Sequence, residues 1–320
     1  MKLFKTLAIT TPSHKIEAAN KAPEHAGAGK QNRVSEIEAL TKTGHLKAAD
    51  LSSLDLTDLN CPKGDFADTK FHKVTLRDAN LRSAIFIGAT LTEVNLVDAV
   101  LMWARLDQAK IYKAKGYGVN LDRAQLEGVE LRESEFPKAR LNGAQLTKAT
   151  IYKTTLKGAD LSDAKICHAT LDEVDLDDTV LNKTDLTEAQ IRKTTFRHAT
   201  LGTTILMKTQ LSEVEIDGAV LNVVYFQRAS LSNMTINDSI LYHVDFRRAT
   251  LNTVKFCATT LDSVDFSGAT LINVTFSDET TFHKVEFKDA TLINCKFENV
   301  DLTKVKFDGA QLINCTGTGK

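Results

Sequence analysis

The chain has 320 residues, of which 42% are apolar and 25% are charged, and its formal net charge at pH 7 is −1. This near-neutral balance disfavours proteins that hold nucleic acid or anionic membranes through a broad basic surface. No apolar run approaches the ~20 residues that a membrane-spanning helix needs. The five widely spaced cysteines form no CxxC pair, which predicts free thiols in a reducing compartment instead of disulfides or a zinc site.

The first 45 residues show no repeat and divide into two segments. Residues 1–32 lack periodicity and include Ala26-Gly27-Ala28-Gly29, which predicts a flexible leader. Residues 33–45 are expected to form a short helical cap, because Val34, Ile37 and Leu40 share one helical face and Gly44 suits the position after a helix end. We expect this cap to cover the start of the repeat that follows.

From residue 46 onward, an apolar residue recurs at every fifth position. The series from Leu46 to Phe276 has 47 positions, of which 45 are Leu, Ile or Phe; only Cys61 and Gly116 depart from it. A smaller residue, mostly Ala, Val or Thr, stands two positions before each of them. Five residues advance an α-helix by ~140° beyond one full turn, and an odd spacing alternates between the faces of a strand. The period therefore predicts a solenoid, in which the chain bends once per unit and coils around its own core.

A slip in the repeat near its end indicates how many units make one coil. The series shifts by one residue between Phe276 and Phe282, and the tripeptide Leu-Ile-Asn recurs on both sides of the shift, ending at Asn273, Asn294 and Asn314. The spacings of 21 and 20 residues match four units per coil plus one inserted residue. Four units per coil would stack the tripeptides, so we expect a hydrogen-bonded ladder of Asn side chains and an outward bulge at the insertion.

Several units resemble the A(D/N)LXX motif of the pentapeptide-repeat family, for example Ala79-Asn80-Leu81-Arg82-Ser83 and Ala159-Asp160-Leu161-Ser162-Asp163. The resemblance covers residues 46–316, followed by a tail at 317–320. It implies an all-β fold, a right-handed quadrilateral parallel β-helix, with the Leu/Phe and Ala positions inside. At four units per coil and ~4.8 Å per coil, the rod would be on the order of 65 Å long. Representative residues of the expected core are Leu101, Leu161, Leu181, Phe246 and Phe266.

One irregular segment lies in the middle of the repeat, at residues 113–119. Gly116 leaves a core position without a side chain, and Gly116 and Gly118 flank Tyr117, so the chain is free to bulge outward here. Two interpretations stay open, a local defect that the array tolerates and a binding loop.

The sequence presents no constellation of catalytic or metal-binding residues. Its eight histidines fall in no single column at 20-residue spacing, and it has no Gly-rich phosphate loop. The acidic run at 172–178 should be offset by Arg192, Lys193 and Arg197 one coil away, which predicts a salt-bridged solvated face. We therefore expect no enzyme, no cofactor, no metal and no small-molecule substrate.

Apolar residues at outward positions are the stronger sign of a binding surface. A first group lies within about one coil and comprises Ile85, Ile87, Val97, Val100, Met102 and the only tryptophan, Trp103. A second group comprises Val220, Val223, Tyr225, Ile240 and Tyr242. Contiguous exposed apolar residues mark partner surfaces, so both groups are candidate protein-binding sites. The alternative is that isolated Val and Ile residues only add strand propensity along the stack.

These features favour a non-catalytic scaffold for protein–protein interaction with an unidentified protein partner. The resemblance to pentapeptide-repeat type III effectors implies the rod of a secreted bacterial effector, made in the bacterial cytoplasm and delivered to a host cell. Two alternatives stay open: a DNA-mimicking gyrase inhibitor or quinolone-protection protein, and the N-terminal substrate-recognition part of a larger ubiquitin-ligase-like effector. Because no cap follows Leu312, we expect the C-terminal end either to dimerise or to continue into a further segment.

Overall fold

The computed structural model describes residues 34–35, 37–39, 46–277 and 279–317. The expected leader lies outside these residues, as do Leu40 and Gly44 of the expected cap and positions 318–320 of the expected tail. Residues 34–35 and 37–39 are helical. Val34 and Ile37 are buried in the same apolar cluster as the first coils, and Glu38 Oε1 accepts a hydrogen bond from the backbone N–H of Asn60 at 3.0 Å.

The remainder of the described chain is a solenoid of short strands that all pair in parallel. One sheet contains β1 (Lys70–His72), β2 (Thr90–Thr92), β3 (Lys110–Tyr112), β4 (Glu130–Arg132), β5 (Thr150–Tyr152), β6 (Thr170–Asp172), β7 (Gln190–Arg192), β9 (Gln210–Ser212), β10 (Glu215–Asp217), β12 (Ser230–Asn237), β14 (Thr250–Cys257), β16 (Thr270–Ile272), β17 (Thr275–Ser277), β19 (Thr291–Ile293), β20 (Lys296–Phe297) and β21 (Gln311–Ile313). The other sheet contains β8 (Thr200–Gly202), β11 (Val220–Asn222), β13 (Ile240–Tyr242), β15 (Thr260–Asp262) and β18 (Thr281–His283). Single-residue parallel bridges continue the same pairing elsewhere in the coils.

Each coil has four faces and takes twenty residues, as the pairing of Phe71 with Leu91 shows. In chain order the faces are centred on Leu81 (face A), Phe86 (face B), Leu91 (face C) and Leu96 (face D), and on the residues twenty positions further along. Face A includes the second sheet, and face C includes strands β1 to β7. The expected quadrilateral parallel β-helix is confirmed.

The chain turns between faces at the second residue after each central residue. These corner residues have a left-handed backbone, for example Asp98, Trp103 and Gln108 with φ of 56°, 56° and 58°. The left-handed conformation is unfavourable for residues other than Gly, Asn and Asp, so it has to be offset by other interactions. The corner N–H groups donate to the next coil, as Trp103 does to the carbonyl of Asp122 at 3.0 Å and Gln108 to that of Glu127 at 2.9 Å.

The core consists of columns of identical or similar side chains. All five representative core residues are buried, and Phe246 stacks on Phe266 with ring centroids 4.9 Å apart and an interplanar angle of 3°. Where threonine takes the smaller inward position its hydroxyl is satisfied: Thr184 Oγ1 donates to the carbonyl of Leu161 at 2.8 Å. Such bonds explain why the interior tolerates polar residues.

The inserted residue leaves the stack intact. Across it, Leu261 pairs with Phe282 and Leu271 pairs with Leu292, each 21 residues apart. The amide side chain of Asn294 donates to Asn273 Oδ1 at 3.2 Å, and that of Asn314 donates to Asn294 Oδ1 at 3.4 Å. The three residues therefore lie in the ladder arrangement that their spacing predicts.

The segment at residues 113–119 does not bulge outward, so the loop that the second interpretation requires is not formed. Lys115 bridges to both neighbouring coils, and the N–H of Gly116 donates to the carbonyl of Glu135 at 2.7 Å. The ring of Phe136, from the next coil, fills the space beside the glycine, because a Cβ on Gly116 would lie 2.5 Å from Phe136 Cδ1. The missing side chain is thus compensated by a larger neighbour in the same column.

The five cysteines are free thiols, of which Cys61 and Cys295 are buried and Cys167 is half-buried. Burial raises the pKa of Cys295 to about 12 and that of Cys167 to about 11. Because the thiolate is the reactive species, we expect Cys295 to resist iodoacetamide at neutral pH in the folded protein, whereas all five cysteines react in urea. Peptide mass spectrometry measures this directly. Labelling of Cys295 at equal rates in the two conditions would contradict the buried placement.

Candidate protein-binding surface

Trp103 stands at a corner of face A and is held from two sides. The guanidinium carbon of Arg82, one coil earlier, lies 4.1 Å from the ring centroid, and that of Arg123, one coil later, lies 5.8 Å from it. Contacts of this kind attract the cation to the ring face. The ring is nevertheless 36% exposed. Trp103 is therefore an aromatic side chain with a fixed orientation and an accessible surface.

The first apolar group is spread over three faces. Val100 and Met102 are half-buried on face A beside Trp103. Val97 is half-buried on face D, while Ile85 and Ile87 are half-buried on face B. The six residues therefore do not form one continuous patch, because the corners of the coil separate neighbouring units. Val100, Met102 and Trp103 are the part that forms one surface.

The second apolar group is more exposed and lies mostly on face A. Val220 on β11 is 40% exposed, and its partner Ile240 on β13 is 48% exposed. Tyr242 is 42% exposed, with its ring 4.1 Å from that of His243. Val223 is half-buried at the corner of the same face, whereas Tyr225 lies around that corner on face B.

Part of each group therefore lies on face A. Trp103 and Val223 occupy the same corner column six coils apart, which is ~29 Å at the spacing of parallel strands. Between them this corner column carries Arg123, Gly143, Asp163, Lys183 and Thr203, and the adjacent column of face A carries Asp122, Asn142, Ser162, Asn182 and Gly202. Face A thus has apolar side chains at both ends and mostly polar or charged side chains between them.

The acidic run at residues 172–178, which lies on faces C and D, forms ion pairs with basic side chains of the neighbouring coils. Arg192 Nη2 lies 2.7 Å from Asp172 Oδ2, and Arg197 Nη1 lies 3.9 Å from Asp177 Oδ2. Lys157 Nζ lies 3.3 Å from Asp178 Oδ2. The run is therefore a salt-bridged surface, as its spacing from the basic residues predicts.

Nothing in the described part of the chain assembles a metal site: no three His, Cys, Asp or Glu side chains there are placed to hold an ion. The described residues also contain no helix long and apolar enough to cross a membrane. An open groove of about 770 Å³ lies on face B, where Gln227, Arg228 and Arg248 line it. This groove is open to solvent, and its lining is mainly polar and basic.

The fold defines a class of protein, the parallel β-solenoid. The chain belongs to the pentapeptide repeat family. The family pattern, described as pentapeptide repeats, matches in eight copies over residues 49–86, 84–121, 124–163, 159–197, 239–278 and 282–316. No curated protein is similar enough to count as a match.

Several solved structures resemble the chain in repeat architecture. HetL, a pentapeptide repeat protein involved in heterocyst differentiation regulation in the cyanobacterium Nostoc sp. strain PCC 7120, is 20% identical over 86% of this chain and 95% of its own, with a TM-score of 0.34. Full-length QnrB1, a plasmid-mediated fluoroquinolone resistance protein, is 16% identical over 59% of this chain and 94% of its own, with a TM-score of 0.31. Rfr23 from the cyanobacterium Cyanothece 51142 is 20% identical over 28% of this chain and 60% of its own, with a TM-score of 0.26.

Proposed function

We propose that the protein is a non-catalytic scaffold that binds a protein partner along face A. The observation that carries the proposal is the alignment of exposed apolar side chains on this one face, with Trp103 at one end and Ile240 and Tyr242 near the other. Aromatic side chains that are fixed before binding lose little conformational freedom on association, and they dominate the energetics of interfaces.

The spacing of the two groups constrains the partner. A partner that contacts both groups must extend ~29 Å along the rod, a length that a straight helix of about twenty residues covers. The polar middle of face A, with Asn142, Ser162 and Asn182, would form the hydrogen-bonded part of such an interface. We therefore expect an elongated partner element with an apolar side chain at each end.

The biological setting that we propose follows from the resemblance to bacterial pentapeptide-repeat effectors. In that setting the rod is the interaction part of a secreted effector, made in the bacterial cytoplasm, and a catalytic segment elsewhere in the natural protein would use it for substrate recognition. A DNA mimic is less well supported. An imitation of duplex DNA requires continuous negative charge along one face. The column of Lys73, Glu93 and Lys113 instead alternates in sign.

Trp103→Ala tests the proposal because the indole serves binding more than folding. We expect the affinity for the partner to fall about thirtyfold, the equivalent of the ~2 kcal/mol that truncation of a central aromatic removes. We expect the free energy of unfolding to fall by less than about 1 kcal/mol, because the indole lies outside the apolar core and contacts Arg82 and Arg123 at the surface. The affinity is measured by titration of the partner that the wild-type rod retains from a lysate.

Tyr117→Ala is the matched control. Tyr117 is 46% exposed and also lies near a cation, with Lys138 Nζ 5.6 Å from its ring, but it stands on face D. Its truncation should leave partner affinity unchanged. Equal losses of affinity in both variants, or a large drop in the thermal midpoint for Trp103→Ala, would contradict the assignment of face A.

A further inference from the structure

The corner between faces C and D carries a column of alternating charge that extends without interruption over eight coils. Its lysines are Lys73, Lys113, Lys153 and Lys193. Its glutamates are Glu93, Glu133, Glu173 and Glu213. All eight residues have a left-handed backbone, with φ between 48° and 56°. They therefore occupy equivalent corner positions, one above another at the strand spacing of ~4.8 Å.

Within one molecule this column is only loosely paired. Lys73 Nζ lies 4.0 Å from Glu93 Oε2, Lys113 Nζ lies 3.9 Å from Glu133 Oε2, and Lys153 Nζ lies 3.7 Å from Glu173 Oε2. These pairs are long and exposed, and such pairs contribute little to stability. The charged groups are thus accessible to a second binding partner.

The order of charges makes the column complementary to its own reverse. When two copies lie side by side in antiparallel orientation about a two-fold axis, the first residue of one column meets the last of the other. Lys73 then faces Glu213, and Glu93 faces Lys193. In the same arrangement Lys113 faces Glu173, and Glu133 faces Lys153. Every contact joins opposite charges, whereas a parallel two-fold arrangement would place each residue against its own copy.

The neighbouring columns of face C agree with the antiparallel arrangement. In the column next to the corner, Arg132 would face Tyr152, and Tyr112 would face Asp172. On the first residues of the strands, Lys110 would face Thr170. No column of strands β1 to β7 and β9 places like charges opposite each other in this arrangement. The rest of face C therefore opposes the antiparallel contact with no like-charge pair, while the opposite charges that favour it lie in the corner column.

We propose that two copies of this chain associate side by side and antiparallel through face C and its charged corner. The contact would be ~34 Å long, since eight coils are separated by seven strand spacings. Opposite charges along a narrow strip confer orientation and specificity more than high affinity, so the dimer should be reversible and sensitive to salt. Face A, on the opposite side of the rod, stays free for its partner.

Sedimentation velocity of the full chain over a concentration series provides the first test. We expect a monomer–dimer equilibrium whose dissociation constant rises at least about tenfold between ~0.01 M and ~1 M salt, because the screening length falls from about 30 Å to about 3 Å. A monomer at every concentration in low salt would overturn the proposal, and so would a dimer that is indifferent to salt.

A half-inverted variant tests the antiparallel arrangement. This variant carries the four changes Lys73→Glu, Glu93→Lys, Lys113→Glu and Glu133→Lys. They place like charges at every contact between antiparallel copies. Within one molecule they create only one pair of like-charged neighbours, at positions 133 and 153. We expect association to weaken at least about a hundredfold. The complementary variant, Lys153→Glu, Glu173→Lys, Lys193→Glu and Glu213→Lys, should also be monomeric, and an equimolar mixture of the two should dimerise.

Circular dichroism and the thermal midpoint check that both variants fold. Should either fail to fold, inversion of all eight residues replaces it, since that change keeps every internal neighbour opposite in charge. The fully inverted chain should form homodimers but no mixed dimers with the wild type. The antiparallel contact would be refuted if the half-inverted variant formed homodimers as strongly as the wild-type chain does. Mixed dimers between the fully inverted chain and the wild type would refute it as well.

Discussion

Leu161→Asp should unfold the middle of the rod. Leu161 is 1% exposed on face A, and the carbonyl of the same residue accepts the hydroxyl of Thr184. Truncation of such a leucine to Ala removes about 2–5 kcal/mol, and a buried carboxylate without a partner costs several kcal/mol more. Because whole domains are stable by only about 5–15 kcal/mol, the aspartate variant should lose cooperative unfolding at room temperature.

Urea unfolding followed by far-ultraviolet circular dichroism measures this effect. Asp163→Asn is the matched control, because Asp163 is an exposed corner residue two positions further along and asparagine accepts its left-handed backbone. We expect the control to remain within about 0.5 kcal/mol of the wild type. If Leu161→Asp unfolded at the wild-type urea concentration, the inward placement of the five-residue series would be wrong.

Gly116→Leu should destabilise the protein although it restores the residue type that the repeat favours. The new side chain would occupy the space of the Phe136 ring, since even a Cβ at position 116 would lie 2.5 Å from Phe136 Cδ1. Overpacking of a close-packed core costs about 1–3 kcal/mol. Phe136→Leu alone should also destabilise the fold by about 1–3 kcal/mol, because it leaves a cavity beside the glycine.

The double variant Gly116→Leu/Phe136→Leu should recover most of the lost stability. The leucine at position 116 fills the cavity that Phe136→Leu leaves, and the smaller side chain at position 136 relieves the overpacking that Gly116→Leu causes. The two changes in unfolding free energy should therefore couple by about 1–3 kcal/mol in a double-mutant cycle. Additive losses would show that the two positions do not share one space. That result would reinstate a separate role for residues 113–119.

The fold could be predicted from the repeat because each five-residue unit of a solenoid buries its own central side chain. One inward leucine in five residues is sufficient to place Leu161 or Leu181 in the core, and the spacing of Asn273, Asn294 and Asn314 determines four units per coil. The packing at Gly116 was less accessible from the sequence. Whether the chain bulges at Gly116 depends on the volume of the Phe136 side chain, which is twenty residues away along the chain but adjacent in space.

The candidate surface was predicted in part. Proximity in the sequence grouped Val97 and Ile85 with Trp103, although corners of the coil separate them. The contacts of Trp103 with Arg82 and Arg123, and the alternation of charge from Lys73 to Glu213, appear only when the sequence is compared at intervals of one coil. Twenty-residue spacing is therefore the signal that would have identified both features.

Site-specific photo-crosslinking along the rod tests the central claim, that face A binds a protein partner. Photoreactive side chains replace Met102 and Asn222 at the two ends of face A, and Lys157 on face D as the control. The scaffold account predicts that one and the same partner forms adducts from positions 102 and 222, that none forms from position 157, and that Trp103→Ala weakens the adduct at position 222. Equal adducts from position 157, or no shared partner at the two ends of face A, would contradict it.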